Sequence, residues 1–324
     1  MKAVFLAIGV LSGVATVADA ATLAGAYPLR PIRFVVPFPA GGGVDIVTRI
    51  LAKEMAEKLG QQVVVDNRAG ASGVIGTQIV ANSSPDGYTL LMGNVATHAV
   101  NVNLFKKLPY DPLKDFAPIC LVARVPGILL VHPSVPANSI QELIALAKSK
   151  PGQLVYGSAG NGTPTHLAAE LFKSLAGVNI VHIPYKGTPP ALADLIGGQI
   201  TMMFSNIVSG LPMVKAGKAK GLGVTSLKRA SIAPDIPAIS ESGLPGFQEE
   251  SWYGALAPLG TPLAVVARLN ATIMQVLNSP AILDRFVQQG AEIVPGSPGE
   301  FREFIRSEIL KYARIVKDSG LRIE

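Results

Sequence analysis

The sequence predicts an α/β protein of two lobes, each a mainly parallel sheet flanked by helices, joined by a two-strand hinge. Three observations carry this. Apolar strands alternate with amphipathic helices from residue 32 onward, the pattern of a parallel sheet with helical crossovers. The same order of parts then returns in the middle of the chain: Gly41 and Gly160, Gly70 and Gly187, Asn94 and Asn206 hold equivalent places, at offsets of 119, 117 and 112 residues. Finally, the last part of the chain is helical with no sheet of its own, so it has to pack back onto the first lobe.

Taken in order, Met1-Lys2 and the apolar run Ala3–Val17 lead to Ala18-Asp19-Ala20, a positive start, a short apolar core and an A-x-A cleavage pattern. Residues 1–20 are expected to be a signal peptide; a single N-terminal membrane anchor is the other reading. Ile32–Phe38 reads as a strand, the glycines after it as a tight loop, and Val44–Leu59 as a helix through Val47, Leu51, Met55 and Leu59. Gln62–Asp66, a helix over Ser72–Ala81, and Tyr88–Met92 complete the first half. The second half repeats it as Gln153–Ser158, a helix over Pro164–Leu175 with Leu167, Leu171 and Leu175 on one face, Asn179–Ile183, a helix over Thr188–Ile196, and Gln199–Phe204. Three helices follow. Thr261 is expected to cap the first with Pro262 at its first turn, Pro280 starts the second, and Ser297-Pro298-Gly299-Glu300 is a capping box before the third. Crossovers near Arg124–Gly127 and Phe247–Ala257 then divide the chain into a first lobe of residues 21–125 and 250–324 and a second of residues 126–249.

Composition narrows the function. Despite 49% hydrophobic residues, no apolar run beyond residue 21 is long enough for a membrane span. The lone cysteine, Cys120, sits in an apolar stretch, which excludes an intramolecular disulfide and suggests a buried thiol. The net charge is +6, and losing Lys2 and Asp19 with the leader leaves it unchanged. That excess favours anionic small molecules, but it is dispersed and not interleaved with aromatics, so nucleic-acid binding is not expected.

In open α/β sheets, ligands sit where strands open into helices. Two loops qualify, Phe38-Pro39-Ala40-Gly41-Gly42-Gly43-Val44-Asp45 and Ser158-Ala159-Gly160-Asn161-Gly162-Thr163-Pro164-Thr165-His166. Glycine lets a ligand approach the backbone, and the first N–H groups of each helix lack internal partners and carry the positive end of its dipole. Paired in equivalent lobes, the loops can clamp one carboxylate from both sides. Ser158, Asn161, Thr163 and Thr165 add hydrogen-bonding side chains. Asp45 either joins them or serves the first turn of its own helix, and His166 is either a donor to the ligand or a packed histidine. Nucleotides fit poorly, because neither loop completes G-x-G-x-x-G and no G-K-[ST] occurs. Gly157-Ser158-Ala159-Gly160 is not a nucleophile elbow, and the four histidines lack metal-site spacing, so no cofactor and no metal are expected.

Tyr27–Arg33 leading into Pro37–Asp45, Asn67-Arg68-Ala69-Gly70-Ala71-Ser72-Gly73, Pro85–Leu90, Tyr185-Lys186-Gly187 and Trp252-Tyr253-Gly254 together resemble the Bug family, the periplasmic solute-binding proteins of tripartite tricarboxylate transporters. The resemblance spans the whole chain after the leader. It implies a monomeric two-domain periplasmic-binding-protein fold that closes on a small carboxylate and hands it to membrane transporter subunits. It also implies that the two loops (Phe38, Ala40, Gly41, Gly42, Gly43 and Asp45; Ser158, Ala159, Gly160, Asn161, Thr163, Thr165 and His166) grip the carboxylate. Ser72, Thr97, Tyr185, Gly187, Ser205 and Asn206 would face the distal part of the ligand. Phe204-Ser205-Asn206 carries no acid or base, so an amine on the ligand has no evident partner there. Two other readings are a receptor that signals to a sensor kinase and an enzyme using the same cleft.

Overall fold

A computed structural model describes residues 27–319 of the chain; the expected signal peptide lies outside the described residues. The first half runs β1 (Ile32–Val36), α1 (Gly43–Leu59), β2 (Val63–Asn67), α2 (Val74–Ala81), β3 (Thr89–Asn94) and a short α3 (Asn101–Leu104). A long strand β4 (Phe116–Val131) and α4 (Ile140–Ser149) lead to the second half: β5 (Val155–Ser158), α5 (Pro164–Ala176), β6 (Val181–Pro184), α6 (Thr188–Ile196), β7 (Met202–Asn206), α7 (Ile207–Lys215) and β8 (Lys220–Val224). The chain ends with β9 (Glu250–Pro258), α8 (Leu263–Leu277), α9 (Pro280–Gln288), β10 (Glu292–Ile293) and α10 (Pro298–Ser319).

The strands follow the order β2-β1-β3-β9-β4-β7-β5-β6, with β8 and β10 also paired to β4. β1 lies parallel between β2 and β3, and β5 lies parallel between β6 and β7. These two trios are the repeated unit, so the fold is two-lobed. β4 and β9 are the antiparallel strands between them. Phe116–Pro126 of β4 pairs with β9, whereas Gly127–Val131 pairs with β7, so one strand serves both lobes. Thr225 ties the crossings together. Its hydroxyl accepts from Gly127 N (2.6 Å) and donates to the Glu249 carbonyl, while Glu249 N donates back to Thr225 O (3.0 Å).

One apolar cluster runs through both lobes, taking in Leu195, Met203 and Ile207 of the second as well as the first lobe's core, and a second cluster belongs to the second lobe alone. Phe34, Leu51, Met55, Leu269 and Ile273 join α1 and α8 across β1, and Leu129, Tyr156, Phe172, Phe204 and Phe247 fill the second lobe. Each such buried side chain contributes about 1.5–3 kcal/mol. α10 lays Phe301, Ile305, Tyr312 and Val316 against Trp252 and Leu256, and the Trp252 indole N–H donates to Glu308 Oε2 (3.1 Å). Cys120 is buried. Ser297 and Glu300 form the capping box: Glu300 N donates to Ser297 Oγ (3.2 Å) and Ser297 N to Glu300 Oε2 (2.7 Å).

Three local expectations change. The helix expected from Ser72 starts at Val74, because Ala71 and Ser72 take left-handed angles (φ 46° and 52°) and turn the chain first. Thr261 does not cap α8; its hydroxyl donates to Pro258 O (2.8 Å), and Pro262 holds the cap position. In α5 Leu167 is buried and Leu171 half-buried as expected, but Leu175 is 45% exposed, because the bulky Phe172, beside Ala168, Ala169 and Ala176, takes the core position.

Candidate functional site

Four helices begin on one cavity between the lobes. Gly42 and Gly43 open α1, Thr163 and Pro164 open α5, Thr188 and Pro189 open α6, and Asn206 caps α7; all of these residues line the cavity. No side chain caps α1, α5 or α6, and their dipoles point positive ends at the same space, although α5 has no N–H at Pro164 and α6 none at Pro189 or Pro190.

Two asparagines at equivalent strand ends complete it. Asn206 Oδ1 accepts from Ser209 N (2.9 Å), and Asn94 Oδ1 accepts from Thr97 N (3.1 Å). These bonds fix the amide orientations and leave each Nδ2 without a protein partner among the described residues, Asn94 on a buried side chain and Asn206 on a half-buried one. Thr163 and Thr165 share a hydroxyl contact of 3.0 Å that holds the second loop, with Thr165 Oγ1 accepting from Ala159 N (2.8 Å). The β9 segment adds Glu249, Ser251 and Tyr253.

The cleft is closed. Ser72 Oγ donates to Asn161 O (2.6 Å), Ser209 Oγ to Gly41 O (3.4 Å), and Gly187, at φ 124°, sits against Pro39. About 50 Å³ of the inner cavity is open to the centres of water molecules, against about 370 Å³ in an outer compartment at the mouth. The inner figure is room for roughly four waters. Phe38, Pro39 and Ala159 line both compartments and separate them.

The inner lining contains no lysine, arginine or histidine; its one readily ionised side chain is Glu249. Burial pushes that carboxyl up to about 8, against the pull of Lys311. Burial also raises the Tyr253 hydroxyl well above its ordinary range, so it remains a proton donor.

Of the residues expected from the sequence to touch ligand, Phe38, Gly42, Gly43, Ala159, Thr163, Thr165, Ser205 and Asn206 line the inner cavity. Ser72, Gly160, Asn161 and Tyr185 line the outer compartment. The others stand elsewhere, for local reasons. Ala40 and Gly41 form the exposed tip of their loop. Asp45 is buried and binds Gly41 N, Asn67 Nδ2 and the Arg49 guanidinium at 2.9 Å each, which together with Arg49's charge hold its carboxyl below the usual range despite burial. It therefore serves its own loop and helix. The Thr97 hydroxyl is taken up by Asn94 and by His98 Nδ1 (2.9 Å). Gly187 is the contact for Pro39 rather than part of a wall. Ser158 is fully buried and meets His182 Nε2 at 2.7 Å behind the loop. His166 is a packed histidine: its Nδ1 accepts from Gly162 N (3.0 Å), and its ring stacks on His182 at 4.2 Å. Burial lowers both imidazoles to about 4. The Ser158–His182 pair reaches neither compartment, which removes it from contact with any occupant.

Comparison with known families gives one match that spans most of the chain: residues 47–321 fit the tripartite tricarboxylate transporter family receptor. BugT of Bordetella pertussis is 38% identical over 325 residues, covering 100% of this chain and 99% of that protein. The chain belongs to this receptor family. Among solved structures, an R. palustris protein with adipate superposes at a TM-score of 0.90 with 38% identity, covering 91% of this chain and 99% of that one. MatC from Rhodopseudomonas palustris with bound malate gives 0.85 and 35%, covering 90% and 100%. Such receptors are binding proteins, and no described helix of this one is long and apolar enough to cross a membrane. Among its described residues no group of three or more His, Cys, Asp or Glu side chains could hold a metal.

Several residues of the receptor's cavity escape a reading of the sequence. Asn94 is the counterpart of Asn206 by offset, and that equivalence is the signal that finds it. Glu249, Ser251 and Tyr253 stand two apart, the spacing of one face of a strand. Thr188 and Pro189 open α6 as Pro164 opens α5, another repeat of the same unit.

Proposed function

We propose that the protein is a periplasmic receptor that captures a small carboxylate, best matched by a dicarboxylate, in the inner cavity and delivers it to the membrane subunits of a tripartite tricarboxylate transporter. The observation that carries this is the convergence of four helix N-termini and two unpartnered asparagine amides on a closed cavity lined by no cationic side chain. Each helix end favours an anion by about 0.3–1 kcal/mol when exposed and more when enclosed. Backbone N–H groups and amides suit a carboxylate without requiring a salt bridge. The adipate and malate bound by two relatives are of this chemical class.

In this reading residues 126–249 swing as one lobe against residues 21–125 and 250–324, about β4 and β9 with Thr225 as their clasp. The ligand drives closure because it touches both lobes only in the closed state. The remaining expected contacts, Ser72, Gly160, Asn161 and Tyr185, belong to the mouth and act as a gate. Thermal unfolding of refolded protein against mono-, di- and tricarboxylates, aromatic acids and amino acids tests the reading. A midpoint that climbs with the concentration of one acid supports it, the stabilisation reaching about 2.7 kcal/mol at a hundredfold excess over Kd. A flat response to every acid refutes it.

A further inference from the structure

Glu249 is an acid in a cavity built for anions. It stands immediately before β9, in line with Ser251 and Tyr253, and is 8% exposed. Among the described residues the one hydrogen bond to its carboxyl comes from the Tyr312 hydroxyl, at 3.4 Å. The second carboxyl oxygen has no protein partner.

We infer that Glu249 is a specificity-determining residue: in the closed, occupied cleft its carboxyl is protonated and donates a hydrogen bond to the bound carboxylate, so that capture of a dianionic acid takes up one proton from solvent. This rests on the reading of the cavity as a carboxylate site. A dicarboxylate dianion beside an ionised glutamate would enclose three negative charges with no cation in the wall. A proton on Glu249 removes one of those charges and turns a repulsion into a hydrogen bond.

The surroundings favour the neutral form. From α10, Glu308, Lys311 and Tyr312 act on Glu249, and from β9, Glu250; the buried Tyr253 hydroxyl lies near enough for their charges to interact. Lys311 and the Tyr312 hydrogen bond favour ionisation, but Lys311 is half exposed and already binds Glu308 Oε1 at 3.2 Å. Burial, Glu250 and Glu308 oppose it, and burial dominates, giving a value of about 8 with the cleft closed and empty; opening relieves the burial and lowers it. A bound carboxylate raises it further. Between the empty and occupied values binding consumes a proton, so affinity rises as pH falls.

The test is calorimetric titration with succinate, malate and adipate from pH 7 to 9, where ordinary carboxyls stay ionised throughout. If only the protonated form accepts the dianion, a group at about 8 or below makes binding at least about tenfold weaker at pH 9 than at pH 7. Near pH 8, repeating the titration in buffers of different ionisation enthalpy should show net proton uptake in the wild type. Glu249→Gln, a permanently neutral donor of the same shape, should abolish the slope and bind at least about tenfold tighter than wild type at pH 9. A flat wild-type profile with no proton uptake, or a slope that persists in E249Q, overturns the inference. So does binding confined to aspartate or glutamate and lost in E249Q, which would make Glu249 the partner of an ammonium group. If no acid binds at any pH, the carboxylate-receptor reading itself fails, a result distinct from acids that bind without pH dependence.

Discussion

Gly43→Ala isolates closure from folding. Gly43 opens α1 without a left-handed backbone angle, so alanine fits the chain there and improves on glycine's helix propensity by up to about 1 kcal/mol. In the closed cleft, however, the added Cβ would stand 2.5 Å from Asn206 Oδ1, 2.6 Å from its Cγ and 2.8 Å from the Tyr253 hydroxyl, where ordinary contact begins near 3.4 Å. The Asn206 side must retreat by about 0.9 Å, and it cannot do so alone, because Asn206 holds the first turn of α7 through Ser209 N. Overpacking of this kind costs about 1–3 kcal/mol. Asn206 belongs to the opposite lobe, so its share of that cost falls on the closed state, whereas the Tyr253 hydroxyl belongs to Gly43's own lobe and must give way whether the cleft is open or closed. At tenfold per 1.4 kcal/mol, binding of the cognate acid should weaken by roughly 5- to 150-fold, with the unliganded thermal midpoint moving by less than the lost binding energy implies. Titration calorimetry reads the first quantity and a thermal melt the second. Affinity within twofold of wild type would refute the claim that these atoms meet when the cleft shuts on ligand.

Gly160 has φ 126°, and a Cβ there would lie 3.2 Å from both Ser72 Oγ and Tyr185 O; Gly160→Val should weaken binding while leaving a single cooperative melt, as calorimetry and circular dichroism would report. Asn94→Asp keeps the oxygen that receives Thr97 N but replaces the free amide donor with negative charge; loss of a hydrogen bond to a charged group predicts roughly 10- to 150-fold weaker binding in a titration. Ser297→Ala removes a helix cap far from the cavity, and should lower the thermal midpoint by about 2–4 °C for about 1 kcal/mol without altering affinity. Burial holds His98 at about 3 and His166 and His182 at about 4, below the unfolded value of 6.5. The unfolded chain therefore binds more protons below pH 6.5; the stability present above that pH should be lost as pH falls toward 4, and less steeply in His182→Gln, as urea midpoints across that range would show.

The architecture was legible because it is written twice. Two strand–glycine–helix units at nearly constant offset require two parallel trios, and β1 and β5 duly lie at their centres. The capping box at Ser297 and the apolar setting of Cys120 were legible because both are local. The site was harder. Asp45, Thr97, Ser158 and His166 are polar residues beside glycine loops, which is how ligand donors look in a sequence. Short polar side chains also satisfy nearby backbone groups, and here such local partners already take up their polar atoms. Gly41 N takes Asp45, and Gly162 N takes His166. Glu249 was missed for the opposite reason. In Gln248-Glu249-Glu250 nothing marks the middle residue as buried, and its burial arises from α10, which packs against it from more than fifty residues away.

The measurement that bears most directly on the central claim is a calorimetric titration of the refolded protein, and of its Asn94→Asp variant, with a panel of small mono-, di- and tricarboxylates. A cavity that clamps a carboxylate with helix ends and asparagine amides predicts saturable one-to-one binding of at least one acid by the wild type and its loss or severe weakening in the variant. Equal binding by both proteins, or heat from no acid, would contradict it.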